Sequence, residues 1–77
     1  MGRPPTDATR PPTTDRILEA AERAFARDGY EAPLAAIARE AGIRRPSLLY
    51  HFESKERLYE AVVRGAFARL GAALAAA

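Results

Sequence analysis

The chain of 77 residues has no cysteine and a single histidine, His51. The first absence excludes disulfides and thiolate metal sites. Together the two leave a poor ligand set for a zinc centre built within one chain. A signal-peptide pattern is also missing: the first residues are polar and proline-rich, with no apolar run before Ile17. No stretch approaches the roughly 20 apolar residues that cross a bilayer. The expected location is therefore the cytoplasm, with no membrane partner. There is no glycine-rich phosphate loop, and Ser47 and Ser54 have no matched base-and-acid arrangement. Proximity of a serine to His51 in sequence is then coincidental. Neither an enzyme nor a bound cofactor is expected.

Net charge is +2 and the sequence pI about 9.5. Such a mild excess does not by itself specify a nucleic-acid partner. Its placement says more. Arg64 and Arg69 follow Glu60 with no further acid, and between Gly42 and Leu49 the only charges are Arg44 and Arg45. All the basic residues but Lys55 are arginine, a bias that a GC-rich genome would also produce. A chain this short forms one small domain at most, with a core near the lower limit for independent stability.

Residues 1–13 contain Pro4, Pro5, Pro11 and Pro12 among threonines and an aspartate, a composition that buries no core and predicts an extended or disordered arm. Within it, Gly2-Arg3-Pro4 has the bare form of a minor-groove arm, but a motif of three residues fits a solvated tail better. From Thr14 to Arg27 the pattern predicts a first helix. Thr14 is placed to cap it, and Asp15 suits its positive end. Ile17, Leu18, Ala21, Ala24 and Phe25 form an apolar stripe, with Glu19, Glu22 and Arg23 facing solvent. Gly29 is suited to stop the helix and Tyr30 to fold back onto the stripe.

Pro33 to Ala41 predicts a short second helix, with Pro33 at its first position and Leu34, Ile37, Ala38 and Ala41 on one buried face. Ala32 stands where a capping side chain is expected, so that start is weak. Gly42 supplies the left-handed angle that redirects the chain, and Ile43 plugs the space between helices. A third helix of about Arg45 to Tyr50 follows. It is too short to persist alone, so it must be packed. Leu48 points inward, Pro46 sits harmlessly in the first turn, and Arg44, Arg45, Ser47 and Leu49 are left on the outer and leading surfaces. Ser54 caps a long fourth helix. Its apolar face runs through Leu58, Tyr59, Val62, Val63, Ala66, Phe67, Leu70 and Leu74, and its Gly/Ala/Leu tail from Gly71 is expected to fray or to continue into a further segment.

A short helix after a tight glycine turn is the helix-turn-helix pattern, whose second helix offers N-terminal side chains to base edges in the major groove. Arginine there is able to bond guanine O6 and N7 together. The same charges would also suit a solvated pair on an ordinary helical hairpin.

Ala41-Gly42-Ile43, Pro46-Ser47-Leu48, Tyr50-His51-Phe52, Ser54-Lys55-Glu56 and Leu58 together resemble the tetracycline-repressor (TetR) family of bacterial transcriptional regulators. Ile17 through Gly29-Tyr30, with Ile37-Ala38, is similar to its first two helices. The resemblance covers about residues 14 to 65. It implies an all-α fold, three short helices forming a helix-turn-helix DNA-binding domain at 14–58 and a connecting fourth helix at 54–77. By the same resemblance Arg45, Pro46 and Ser47 stand at base-reading positions, and Tyr50, His51 and Lys55 at positions that hold phosphates. Hydroxyl, imidazole and ammonium donors suit that task.

Three positions depart from the family pattern. Arg44 replaces a capping serine, weakening that helix start while adding charge near DNA. Leu49 replaces a common tyrosine; it is able to touch a thymine methyl but not to bond a phosphate. Pro33 and Leu34 stand where a Thr or Ser cap is common, which removes one phosphate contact. Family members also carry a helical ligand-binding and dimerising domain after the fourth helix. The chain stops at Ala77, so no effector site is assigned, and a homodimer is expected only with that domain. The implied partner is double-stranded DNA, as a palindromic operator, and the implied role is repression by occupancy. The alternative is a small interaction module that pairs through its fourth helix with another regulator.

Overall fold

The computed structural model describes residues 12–76. The arm, with Gly2-Arg3-Pro4, lies outside the described residues apart from Pro12 and Thr13. The order is α1 (Thr13–Asp28), a single 3-10 turn (Gly29–Glu31), α2 (Leu34–Ala41), α3 (Arg45–His51) and α4 (Lys55–Ala76). The fold class is all-α, as the apolar spacing predicts.

The cap of α1 lies two residues earlier than Thr14, where the sequence pattern places it. Pro12, with φ −55° and ψ 154°, takes the capping position, and its carbonyl accepts the Arg16 N–H at 3.0 Å. Thr14 lies inside the helix and makes no cap hydrogen bond. A proline before a helix loses nothing by lacking an N–H, because that donor has no intrahelical partner there. At α2 the start moves the other way, one residue later than expected. Pro33 is extended at ψ 140° and stands outside the helix, where its carbonyl accepts from Ala36 and Ile37 at 3.1 and 3.2 Å. Neither start has a side-chain acceptor, so the weak cap expected at Ala32 falls on Pro33 instead; Ala32 itself is buried.

The core of the described residues is Ile17, Ala20, Ala21, Ala24, Phe25, Ala32, Ile37, Ala38, Ala41, Leu48 and Leu58. Each helix contributes one of the large, fully buried aliphatics: Ile17 from α1, Ile37 from α2, Leu48 from α3 and Leu58 from α4. Apart from Phe25, the remaining core positions are alanines, which lets α1 and α2 approach closely. No buried polar group among the described residues interrupts this core. Leu18, Leu34, Ile43, Leu49, Phe52 and Val62 pack around it half-buried.

Aromatic rings join the far end of α1 to α4. Phe25 and Tyr30 stack with centroids 6.3 Å apart, so Tyr30 does fold back, and both meet Tyr59 edge-on at 5.0 and 5.1 Å. The polar face of α1 is not left to solvent alone. Arg69 of α4 donates to the Glu22 carboxylate, and Glu40 of α2 accepts from Arg27 at 3.2 Å, with Arg23 at 3.8 Å. That hydrogen bond from Arg27 to Glu40, and then the one to Asp28, raise the Arg27 guanidinium above its already high ordinary value. α4 stays helical through Ala76, so of the two expectations for the tail, fraying is not what the structure describes.

Candidate nucleic-acid interface

The turn between α2 and α3 sets the geometry of the candidate surface. Gly42 adopts φ 80° and ψ 28°, the left-handed region that glycine occupies without a side-chain penalty. Its N–H donates to the Arg39 carbonyl at 3.1 Å, and the Ile43 N–H donates back to Ala38 at 3.0 Å. This is the Schellman arrangement, and it satisfies two carbonyls that the helix end would otherwise orphan. Ile43 then packs half-buried against the core, as expected of a plug between helices.

Arg44, the capping residue before α3, is extended at φ −91° and ψ 157° with no side-chain cap hydrogen bond. Its carbonyl accepts the N–H groups of Ser47 and Leu48 at 3.0 and 3.1 Å. Pro46 sits in the first turn. Seven residues at 1.5 Å rise give a rod of about 10 Å. Leu48, fully buried, anchors it. Arg44, Arg45, Pro46 and Ser47 are all exposed at its leading end. Among the described residues neither Arg44 nor Arg45 has a carboxylate within ion-pair distance, whereas Arg23, Arg27, Arg57, Arg64 and Arg69 are all paired.

Leu49 differs from its expected place. It is half-buried against the core and does not stand free on the outer surface. It lies about 100° around the helix from the buried Leu48, at the edge of the face that meets the core. Tyr50 is 85% exposed, and its ring meets that of the exposed His51 edge-on at 5.3 Å. His51 Nδ1 lies 3.4 Å from the Thr14 hydroxyl of α1, with the direction of donation following the imidazole tautomer.

Phe52, Glu53 and Ser54 bend the chain into α4. Ser54 caps that helix as predicted: its hydroxyl accepts the Arg57 N–H at 3.2 Å, and its carbonyl accepts from Leu58 at 3.1 Å. Lys55 is the first residue of α4, and its ammonium lies 4.9 Å from the Tyr30 ring centroid.

Two residues escaped sequence reasoning. Arg16 of α1 donates from Nη2 to the Ala41 carbonyl at 2.8 Å, a contact between positions 25 apart. Nothing local in the sequence signals it. Arg39, exposed in the last turn of α2, also has no ion-pair partner among the described residues and precedes the glycine turn. Its position two residues before Ala41-Gly42 was a usable signal.

Arg45, Pro46 and Ser47 thus share one protruding tip, with Arg44 immediately before it. Tyr50, His51 and Lys55 follow along the chain, toward the start of α4. The tip offers planar, multidentate donors, and the flank offers hydroxyl, imidazole and ammonium donors.

The sequence model for bacterial regulatory proteins of the tetR family matches residues 17–62. Among curated proteins, the chain is 39% identical over 54 residues to the biofilm operon icaADBC HTH-type negative transcriptional regulator IcaR of Staphylococcus aureus strain Newman, and equally to that of strain COL. The aligned segment spans 69% of this chain and 29% of each of those relatives. No solved structure matches the chain. None of the helices among the described residues is long and apolar enough to cross a membrane. A match over residues 17–62, from the first core residue of α1 into α4, shows that the chain belongs to the tetR family of bacterial regulatory proteins.

Proposed function

We propose that the chain is the sequence-reading DNA-binding head of a transcriptional repressor that works by occupying its operator. One observation carries this reading. Arg44 and Arg45 are exposed and without acid partners among the described residues, at the tip of a short helix pinned by Leu48. Residues 14–58 act as the reading head, 54–77 as the connecting helix and 1–13 as an arm. Arg45, Pro46 and Ser47 meet base edges, with Arg44 and Leu49 at the margin. Tyr50, His51 and Lys55 hold phosphates and set the register. Repression is the activity carried in the name of the IcaR relatives, and cytoplasmic location follows from it.

A dimer places two reading helices about 34 to 36 Å apart on a palindrome. A single chain makes half of these contacts, so binding by a monomer is weak, on the order of micromolar, and steeply salt-dependent. The test is selection of duplexes from a random pool by the purified chain, followed by titration at several salt concentrations. The proposal requires tighter binding to the selected duplex than to its shuffled counterpart. Equal affinity for both contradicts it.

A second reading, pairing through α4 with another regulator, is favoured by the 68%, 54% and 68% exposure of Phe67, Leu70 and Leu74. The two readings separate at low salt. A chain that shifts no duplex and forms heterodimers supports the second.

A further inference from the structure

We propose that Arg16 is a positioning residue for base reading: from the first turn of α1 it braces the α2–α3 turn and so sets the angle at which α3 is presented. This inference rests on the DNA-reading function proposed above. The brace is specific in its chemistry. Ile43 and Gly42 satisfy the carbonyls of Ala38 and Arg39. The carbonyl of Ala41, the last residue of α2, accepts from Arg16 Nη2 at 2.8 Å in a half-buried setting. A guanidinium there also stands at the negative end of α2. The same Nη2 lies 3.2 Å from the point where a Cβ on Gly42 would sit, so Arg16 closes over the one left-handed residue of the turn. No carboxylate among the described residues forms an ion pair with it.

The consequence falls on α3. That helix has seven residues and one fully buried side chain, Leu48. Leu49 packs half-buried beside it, and two adjacent contacts fix where a short rod sits better than they fix its tilt, which depends on the turn that enters it. Base-edge hydrogen bonds weaken steeply with angle. Flexible side chains reaching phosphates tolerate small tilts. Loosening the brace therefore degrades sequence discrimination before it degrades binding to DNA at large.

The experiment compares wild type, Arg16→Met and Arg16→Lys on a duplex selected by the wild-type chain and on its shuffled version, with amide exchange measured in the absence of DNA. All binding is read below the melting temperature of each variant. Arg16→Met keeps the apolar stem and removes the donor. It should lower the selected-to-shuffled affinity ratio on the order of tenfold, the scale of a hydrogen bond to a charged group. Affinity for the shuffled duplex and the salt slope should change little, and the Gly42 and Ile43 amides should exchange faster. Arg16→Lys, which retains one donor of the same charge, should recover part of the ratio. Equal losses on both duplexes with a salt slope reduced by about one would mean a phosphate contact and overturn the proposal. A lowered melting temperature with an unchanged ratio would overturn it too. If the wild-type chain does not discriminate at all, the DNA-reading proposal fails. Exchange at Gly42 and Ile43 then still decides the brace, and rates unchanged by Arg16→Met reject it.

Discussion

The Lys55 ammonium lies 4.9 Å from the centroid of the Tyr30 ring, and that ring in turn meets Phe25 and Tyr59. A cation over a ring face is held electrostatically by the quadrupole, worth about 0.5 to 1 kcal/mol at an exposed site. The first residue of α4 is thereby tied to the turn that ends α1. A lysine held this way loses less freedom when it meets a phosphate.

Lys55→Ala is accordingly expected to weaken binding to selected and shuffled duplexes alike and to reduce the salt slope by about one. Tyr30→Leu keeps the apolar contact and removes the quadrupole. It should weaken both duplexes by a smaller, equal factor, about two- to fivefold. Fluorescence anisotropy titrations across salt concentrations measure both. Loss confined to the selected duplex would assign Lys55 a base contact instead.

Ser54→Ala removes the hydroxyl that accepts the Arg57 N–H at 3.2 Å. The expected loss is about 1 kcal/mol of folding stability. It should appear as a lower denaturation midpoint at constant slope. Ser54→Asp, which restores an acceptor and suits the positive helix end, should recover most of it. An alanine variant with a wild-type midpoint would show that the cap carries no weight.

Gly42→Ala forces a Cβ onto a residue at φ 80° and brings it within 3.2 Å of Arg16 Nη2. The left-handed conformation costs a residue with a Cβ about 1 to 2 kcal/mol. Urea denaturation should therefore report a loss of at least that order. In a chain near the lower size limit this is a large share of the total stability. Undiminished stability would mean that the turn relaxes to another conformation.

Leu48→Ala empties the only fully buried position of α3. Large-to-small changes of this kind cost about 2 to 5 kcal/mol. Loss of cooperative thermal unfolding, followed by circular dichroism, is the expected outcome. A cooperative transition at the wild-type temperature would show that α3 does not depend on this anchor.

Much of this architecture was legible from local pattern. The stripe Ile17, Ala21, Ala24 and Phe25, the face Ile37, Ala38 and Ala41, the inward Leu48 and the Ser54 cap all follow from spacing or from the chemistry of one residue. The helix-turn-helix was legible because Gly42 has one evident conformational use. The misplacements have physical causes. Thr14 was a plausible cap, but Pro12 already offered an extended carbonyl at the right place, and the helix began there. Its sequence neighbours suggest an outward Leu49, yet its side chain packs half-buried against the core beside Leu48. Glu22 was assigned to solvent because Arg69, its partner, is 47 residues away. Arg16 was silent for the same reason: its acceptor is a backbone carbonyl on another helix, and no sequence pattern marks a carbonyl.

The division of labour between base reading and phosphate holding is tested most directly at Arg45. The measurement is the affinity of Arg45→Ala for the selected duplex and for its shuffled counterpart, in the same buffer as wild type. The account predicts a loss of about 1 to 3 kcal/mol on the selected duplex and relaxed preference at the base pairs it reads, with little change on the shuffled one. Equal losses on both duplexes would contradict it.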